Sequence, residues 1–220
     1  VGAHLPELWP SSFPWLSYGF AGPAPGFGLA TITSPTAEPV TPELQKLQTR
    51  VDHDAEDSLI AGWIVAARRM LEQETGTRIV SQGLRLSLPG WPCDGLIRLG
   101  LGPVRSVDAV SYYPAGSGAA TTLTADVDYG AWLDALPAVI YPAGGRSWPA
   151  SNADRLPAVV VNFTAGMDPG SSDWQLACAG VMLLVTYWHS NRGDQEAPAK
   201  LGAPEGFARV VRLLDRRGYI

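Results

Sequence analysis

Residues 52–76 read DHDAEDSLIAGWIVAARRMLEQETG, and they carry both ends of one amphipathic helix. Ile60, Trp63, Ile64, Ala67, Met70 and Leu71 recur at the i, i+3, i+4, i+7 spacing that lines one side of an α-helix. Asp54 is placed to cap the first turn. Glu56 and Asp57 put negative charge beside backbone N–H groups that lack a helical partner. Gly76, following Thr75, is a natural left-handed stop. The remaining circumference is not simply polar, because Ala61, Val65 and Ala66 are small and apolar. Such a helix can pack on two sides. That predicts a bundle, or a subunit with neighbours, in which Ala61 and Val65 are candidate subunit contacts.

Upstream, Thr41-Pro42-Glu43 is a helix start: a capping hydroxyl, a proline at the first helical position, then an acid. Leu44, Leu47 and Val51 give this helix an apolar side, and a break near Asp52 leads into the main helix. Residues 1–40 differ. Pro6, Pro10, Pro14, Pro23 and Pro25 interrupt any helical or strand period. The segment cannot build its own core, yet it carries Trp9, Phe13, Trp15, Tyr18, Phe20 and Phe27. It reads as an extended arm that docks its rings onto its own body or a neighbouring subunit, with Trp9, Phe13, Trp15, Tyr18 and Phe20 as candidate contacts.

Downstream, residues 77–170 change to strand period. Leu84, Leu86 and Leu88 alternate with Arg85 and Ser87. Further strands are expected at 96–99, near Val104 to Tyr112, and at 129–133, 138–141 and 159–164, separated by turn signals such as Gly116-Ser117-Gly118. Ser172 then opens a second strong helix, with Gln175 completing a capping box. Trp174, Ala177, Cys178, Val181, Leu184, Val185 and Trp188 form its stripe, and it ends near Asn191. A last helix begins at Pro204-Glu205. Phe207, Val210, Val211 and Leu214 line one side of it, and Arg209, Arg212 and Arg216 the other. The expected fold is α+β: helices of residues 41–76 and 171–220 form a bundle, residues 77–170 are an inserted antiparallel β-subdomain, and residues 1–40 are the arm. The insertion's ends, near Thr77 and Gly170, should then lie close together.

The chain has 220 residues, 46% hydrophobic, enough for a sizeable core. Its net charge of −5 argues against sequence-independent DNA binding over the whole surface. The two cysteines, Cys93 and Cys178, suggest free thiols in a reducing compartment. The first residues show no basic flank before an apolar run, so no signal peptide is expected. The longest apolar run, 176–188, is too short to span a membrane. His4, His53 and His189 do not pair with cysteine or with each other at ligand spacing. No nucleophile elbow, zinc-protease motif or phosphate loop is present. Asp52, Asp54, Glu56 and Asp57 are a possible cation cluster, and Asp126 and Asp128 a possible acid–base pair. Both patterns are also what a helix start and a solvated loop look like. We assign no catalytic, cofactor-binding or metal-ligating residue. The arginine stripe of Arg209, Arg212 and Arg216, with Arg217, is the most patterned polar feature and reads either as a solvated helix face or as a docking face for an acidic protein surface or for nucleic acid, with guanidinium pairing favouring a partner.

A run of features resembles the head–tail connector (adaptor, head-completion) proteins of long-tailed bacteriophages. They are Pro39-Val40-Thr41, the link Arg50 to Asp54, Asp57, Thr75-Gly76, Arg146-Ser147-Trp148-Pro149, NFTAG ending at Gly166, and Tyr187 to Arg192. The likeness spans roughly residues 37–215, while residues 1–36 have no counterpart. It implies a non-enzymatic ring, about twelve copies, beneath the portal in the virion neck, assembled in the host cytoplasm. Its implied partners are itself, the portal protein through Arg209, Arg212, Arg216 and Arg217, a downstream neck or tail-terminator protein, and double-stranded DNA passing through the lumen without specific binding. No membrane and no cofactor are implied. Two readings from other classes remain: a small hydrolase using Asp126 and Asp128, and a carbohydrate-binding module using Trp91, Trp132 and Trp148.

Overall fold

The computed structural model describes residues 28–192 and 203–215. Helix α1 spans Pro42–Thr49. Thr41 caps it through Oγ1, which accepts from the Leu44 N–H at 3.3 Å. Helix α2 spans Asp57–Thr75 and stops at Gly76, whose φ of 65° only glycine adopts without strain. Helix α3 spans Ser172–Ser190, and α4 spans Glu205–Leu214 after Pro204.

Two caps differ from expectation. Glu56 occupies the cap position of α2 and makes no side-chain cap. Asp54 turns instead to the Lys46 ammonium at 2.6 Å, because a charge-assisted bond outcompetes a single backbone N–H. For α3 the cap is Ser171, whose Oγ accepts from Trp174 N–H at 3.1 Å. Ser172 is therefore already helical and no capping box with Gln175 forms.

Helices α2, α3 and α4 bury one apolar cluster. Ile60, Ile64, Ala67 and Leu71 of α2 meet Ala177, Val181, Leu184 and Val185 of α3 and Phe207, Val210 and Leu214 of α4. A Cβ at Gly180 would stand 2.8 Å from Val210 Cγ1, so glycine is what lets α4 lie close against α3.

Strands form two antiparallel sheets. The larger has the order β1-β2-β8-β4-β5, built from Gly28–Thr33, Gln82–Leu88, Val159–Ala165, Val104–Tyr112 and Thr121–Leu123. The smaller has the order β3-β7-β6, built from Ile97–Leu99, Ala138–Pro142 and Tyr129–Trp132. Both contribute to a second core, where Leu84, Leu86, Val161 and Phe163 of the larger sheet meet Ile97, Leu99, Tyr129 and Ile140 of the smaller. The molecule is thus mixed helix and antiparallel sheet, as α+β requires.

Strand β1 was not expected. Residues 28–33, GLATIT, pair with β2 in the register Gly28–Ser87 to Thr33–Gly83. The prolines that break periodicity lie outside this short run, and Thr31, Ile32 and Thr33 are good strand formers. The sheet therefore takes one strand from the segment before α1 as well as those from 77–170.

The chain enters and leaves the strand region at one place. Met167 N–H donates to the Ile79 carbonyl at 2.9 Å, and a Cβ on Gly166 would lie 2.5 Å from Ser81 Cα. Only glycine allows the two backbones to approach so closely.

Candidate functional site

The polar side chains sort into a buried junction and several exposed faces. At the junction, Arg68 is 7% exposed and forks onto Glu38, with Nε to Oε2 at 2.6 Å and Nη2 to Oε1 at 3.0 Å. Its Nη1 donates to Glu72 Oε2 at 3.0 Å. Glu72 Oε1 in turn accepts from Ile79 N–H at 2.9 Å and from Gln82 Nε2 at 3.1 Å. Burial works against the Arg68 charge, but the two carboxylates outweigh it and raise its pKa above the ordinary value. One network therefore joins the segment before α1, the body of α2 and the start of β2. Sequence reading missed it, since Glu38 lies 30 residues from Arg68; the signal available was Arg68 falling four residues after Ile64 and three before Leu71, on the apolar stripe of α2. Arg78, beside this junction, has a buried Nε with no hydrogen-bond partner, and burial lowers its pKa.

The acidic cluster before α2 is divided between two sets of the chain's own cations. Lys46 Nζ bridges Asp54 and Asp57 at 2.6 and 2.8 Å. Its pKa is raised by Asp54 and then Asp57, and Asp54 is held below the usual carboxylate range by Lys46. Glu56 accepts from Arg192 Nη1 at 2.8 Å and lies 3.0 Å from His189 Nε2; Arg192, then His189, lowers its pKa. These contacts tie the C-terminal end of α3 to the start of α2. No group of three or more ligand side chains suited to a metal occurs among the described residues.

Asp126 and Asp128 shape a turn. Asp126 has φ 64°, and Asp128 Oδ2 accepts from Thr124 N–H at 2.8 Å. Trp91 and Trp148 stack on each other with centroids 4.4 Å apart. Their indole N–H groups donate to the carbonyls of Pro149 and Gly95 at 2.7 and 2.9 Å, so both rings pin loops to the sheet core. Trp132 is exposed. A groove runs between the end of α2 and the turn after β6, lined by Gly76, Pro103, Leu133 and Leu136 among others, and Asp134 is its one ionisable lining side chain. A single carboxylate offers no acid–base pair.

The remaining candidates are faces. Arg209 and Arg212 lie exposed on α4, opposite Phe207 and Val210; Arg216 and Arg217 fall outside the described residues. On α2, Val65 and Ala66 are exposed and Ala61 is half-buried, on the side away from Ile64 and Leu71. Trp9, Phe13, Trp15, Tyr18 and Phe20 also fall outside the described residues. No helix among the described residues is long and apolar enough to cross a membrane.

No protein-family model matches the sequence, and no curated protein matches it. Solved structures do. A chain in the neck of an empty gene transfer agent (GTA) particle with C6 symmetry superposes with a TM-score of 0.68 at 23% identity, covering 85% of this chain and 94% of that one. A chain in the virion of a native GTA particle gives 0.64 at 24% identity, covering 82% and 93%. A chain in the neck of a native GTA particle with C12 symmetry gives 0.59 at 23%, covering 83% and 94%. The fold is therefore that of these particle proteins over nearly their whole length.

Proposed function

We propose that this chain is a structural subunit of a virus-like particle neck. Copies join into a ring, about twelve of them as the phage-connector resemblance implies. The ring binds a portal, extends the DNA channel and offers a platform for the next neck or tail protein. The observation that carries this reading is the match, over 83–85% of this chain, to chains of necks computed with C6 and C12 symmetry. The chemistry agrees. Asp54, Glu56 and Asp57 are held by the chain's own cations, Asp128 holds a turn, and the groove at the end of α2 contains no acid–base pair. A net charge of −5 suits a passage through which DNA slides without sticking.

The exposed arginine side of α4 is the portal-facing element in this reading, with Arg209 and Arg212 meeting carboxylates and Arg216 and Arg217 extending the same charge. Guanidinium groups favour multidentate pairing with acidic surfaces. The small-residue side of α2, at Ala61 and Val65, meets a neighbouring copy. The test is a particle-assembly assay with Arg209→Glu and Arg212→Glu together. Reversing two exposed charges should leave the circular dichroism spectrum unchanged and abolish attachment to portal-bearing heads. Attachment at the wild-type level would refute the assignment.

A further inference from the structure

The outer side of α3 lies beside leucines that are exposed among the described residues. Leu183 is 38% exposed on α3, and its Cδ1 lies 3.4 Å from where a Cβ on Gly206 of α4 would stand. Leu213, two turns along the same flank of α4, is 65% exposed. On the other side of α3, the Gln45 amide of α1 donates to Thr186 Oγ1 at 3.2 Å, and Leu44, its neighbour, is 46% exposed. Helical phase places Leu44 on the side of α1 away from Lys46 and α2, toward the outer side of α3. Three leucines on three helices thus face out together, each exposing about a third of its surface or more. Scattered single leucines are ordinary, but an apolar strip shared by three adjacent helices marks a contact surface.

The chain also supplies a segment of matching chemistry. Twenty-seven residues precede Gly28, and they include Leu5, Leu8, Trp9, Phe13, Trp15, Leu16, Tyr18 and Phe20 with a single acid and no Lys or Arg. Their point of attachment is fixed by β1. Its Thr33 end pairs beside Gly83, next to the junction with the helices, and its Gly28 end pairs beside Ser87 at the far end of β2. Strand β1 therefore begins at the tip of the sheet, the end away from the helices. Twenty-seven extended residues can reach on the order of 90 Å. We infer that residues 9–20 of one copy dock on the Leu44, Leu183 and Leu213 strip of a second copy. This contact rests on the ring reading above, and it adds to that reading a strap between subunits distinct from the α2 face.

The test uses the full chain. A photo-crosslinking amino acid replaces Leu183, or separately Leu213, in one batch, and a second batch is unsubstituted and labelled with 15N. After mixing and irradiation, mass spectrometry identifies the linked peptides and their isotopes. The expected result is linkage to peptides within residues 5–20 carrying the other batch's isotope, reduced at least tenfold when Trp9, Phe13 and Trp15 of the labelled batch are changed to Ser. Linkage only within one isotope would mean that each arm covers its own helices, and linkage to peptides outside residues 1–27, or none, would mean another occupant; each overturns the proposal. The outcome is independent of portal attachment. Crosslinks between copies without attachment to heads would leave the strap standing and remove the neck role, and attachment without such crosslinks would do the reverse.

Discussion

Helix α2 ends in two polar arrangements that use the same chemistry in opposite surroundings. Near its start, Lys46 holds Asp54 and Asp57, and Arg192 holds Glu56, at the protein surface, with Asp54 91% exposed. Near its end, Arg68 holds Glu38 and Glu72 with side chains only 7% and 6% exposed for Arg68 and Glu72. The distances are alike, between 2.6 and 3.0 Å. What differs is the alternative open to each group when its partner is lost. A surface carboxylate returns to water, so its ion pair adds little. A buried one has nowhere to go, so losing one member leaves an uncompensated charge. Geometry alone therefore ranks these contacts wrongly, and burial ranks them correctly.

Several substitutions would break or sharpen this contrast. The largest effect is expected from Glu72→Ala, which takes one of two carboxylates from Arg68 and leaves its Nη1, the Ile79 N–H and the Gln82 amide without their shared acceptor. Breaking a buried pair of this kind costs about 3–5 kcal/mol, read as a fall in the urea midpoint. Glu72→Gln keeps an acceptor oxygen and should cost less. Gly166→Ala comes next, because its Cβ would meet the Ser81 backbone at 2.5 Å and one strand must shift; overpacking of this sort costs about 1–3 kcal/mol. Arg192→Ala should lower the melting temperature only slightly at neutral pH. The folded pKa of Glu56 lies below its usual value, so the stabilisation is complete above the unfolded value of about 4.3 and disappears as pH falls through the folded value. The Arg192→Ala difference should therefore vanish in acid, and a difference that persists at low pH would show that Arg192 acts by packing. Smallest for stability is Ala61→Glu with Val65→Glu on the exposed side of α2. It should leave the melting curve unchanged and reduce self-association in sedimentation velocity. An unfolded product would mean that this face is packed within the subunit.

Much of the fold was legible because it rests on local rules. The apolar stripe of α2, its glycine stop, the Thr41-Pro42-Glu43 start of α1 and the alternation at Leu84, Leu86 and Leu88 each announce themselves within a few residues, and the helices and strands lie where those signals put them. What was not legible depends on distant partners. Asp54 looks like a cap until Lys46 is brought beside it. Ser172 looks like a cap until Ser171 proves to be the residue outside the helix. Residues 28–33 look like more of a proline-rich arm until β2 offers a partner edge. The faces on α2 and α4 were visible as patterns, since an exposed small-residue side and an arginine side follow from helical spacing alone. The buried junction was not, since Arg68 and Glu72 share the helical period but Glu38 and Gln82 meet them only once the chain has turned twice.

That junction has a practical consequence for anyone dissecting the molecule. Residues before α1, within α2 and at the head of β2 all depend on Glu72 and Arg68 for their polar partners, so a cut between 38 and 68 parts Glu38 from Arg68, and a cut between 72 and 79 parts the Ile79 N–H and Gln82 from Glu72. The helices and the sheet are separable on paper, with a core each, but they should melt as one cooperative unit, and truncations meant to isolate either should fail to yield a folded piece.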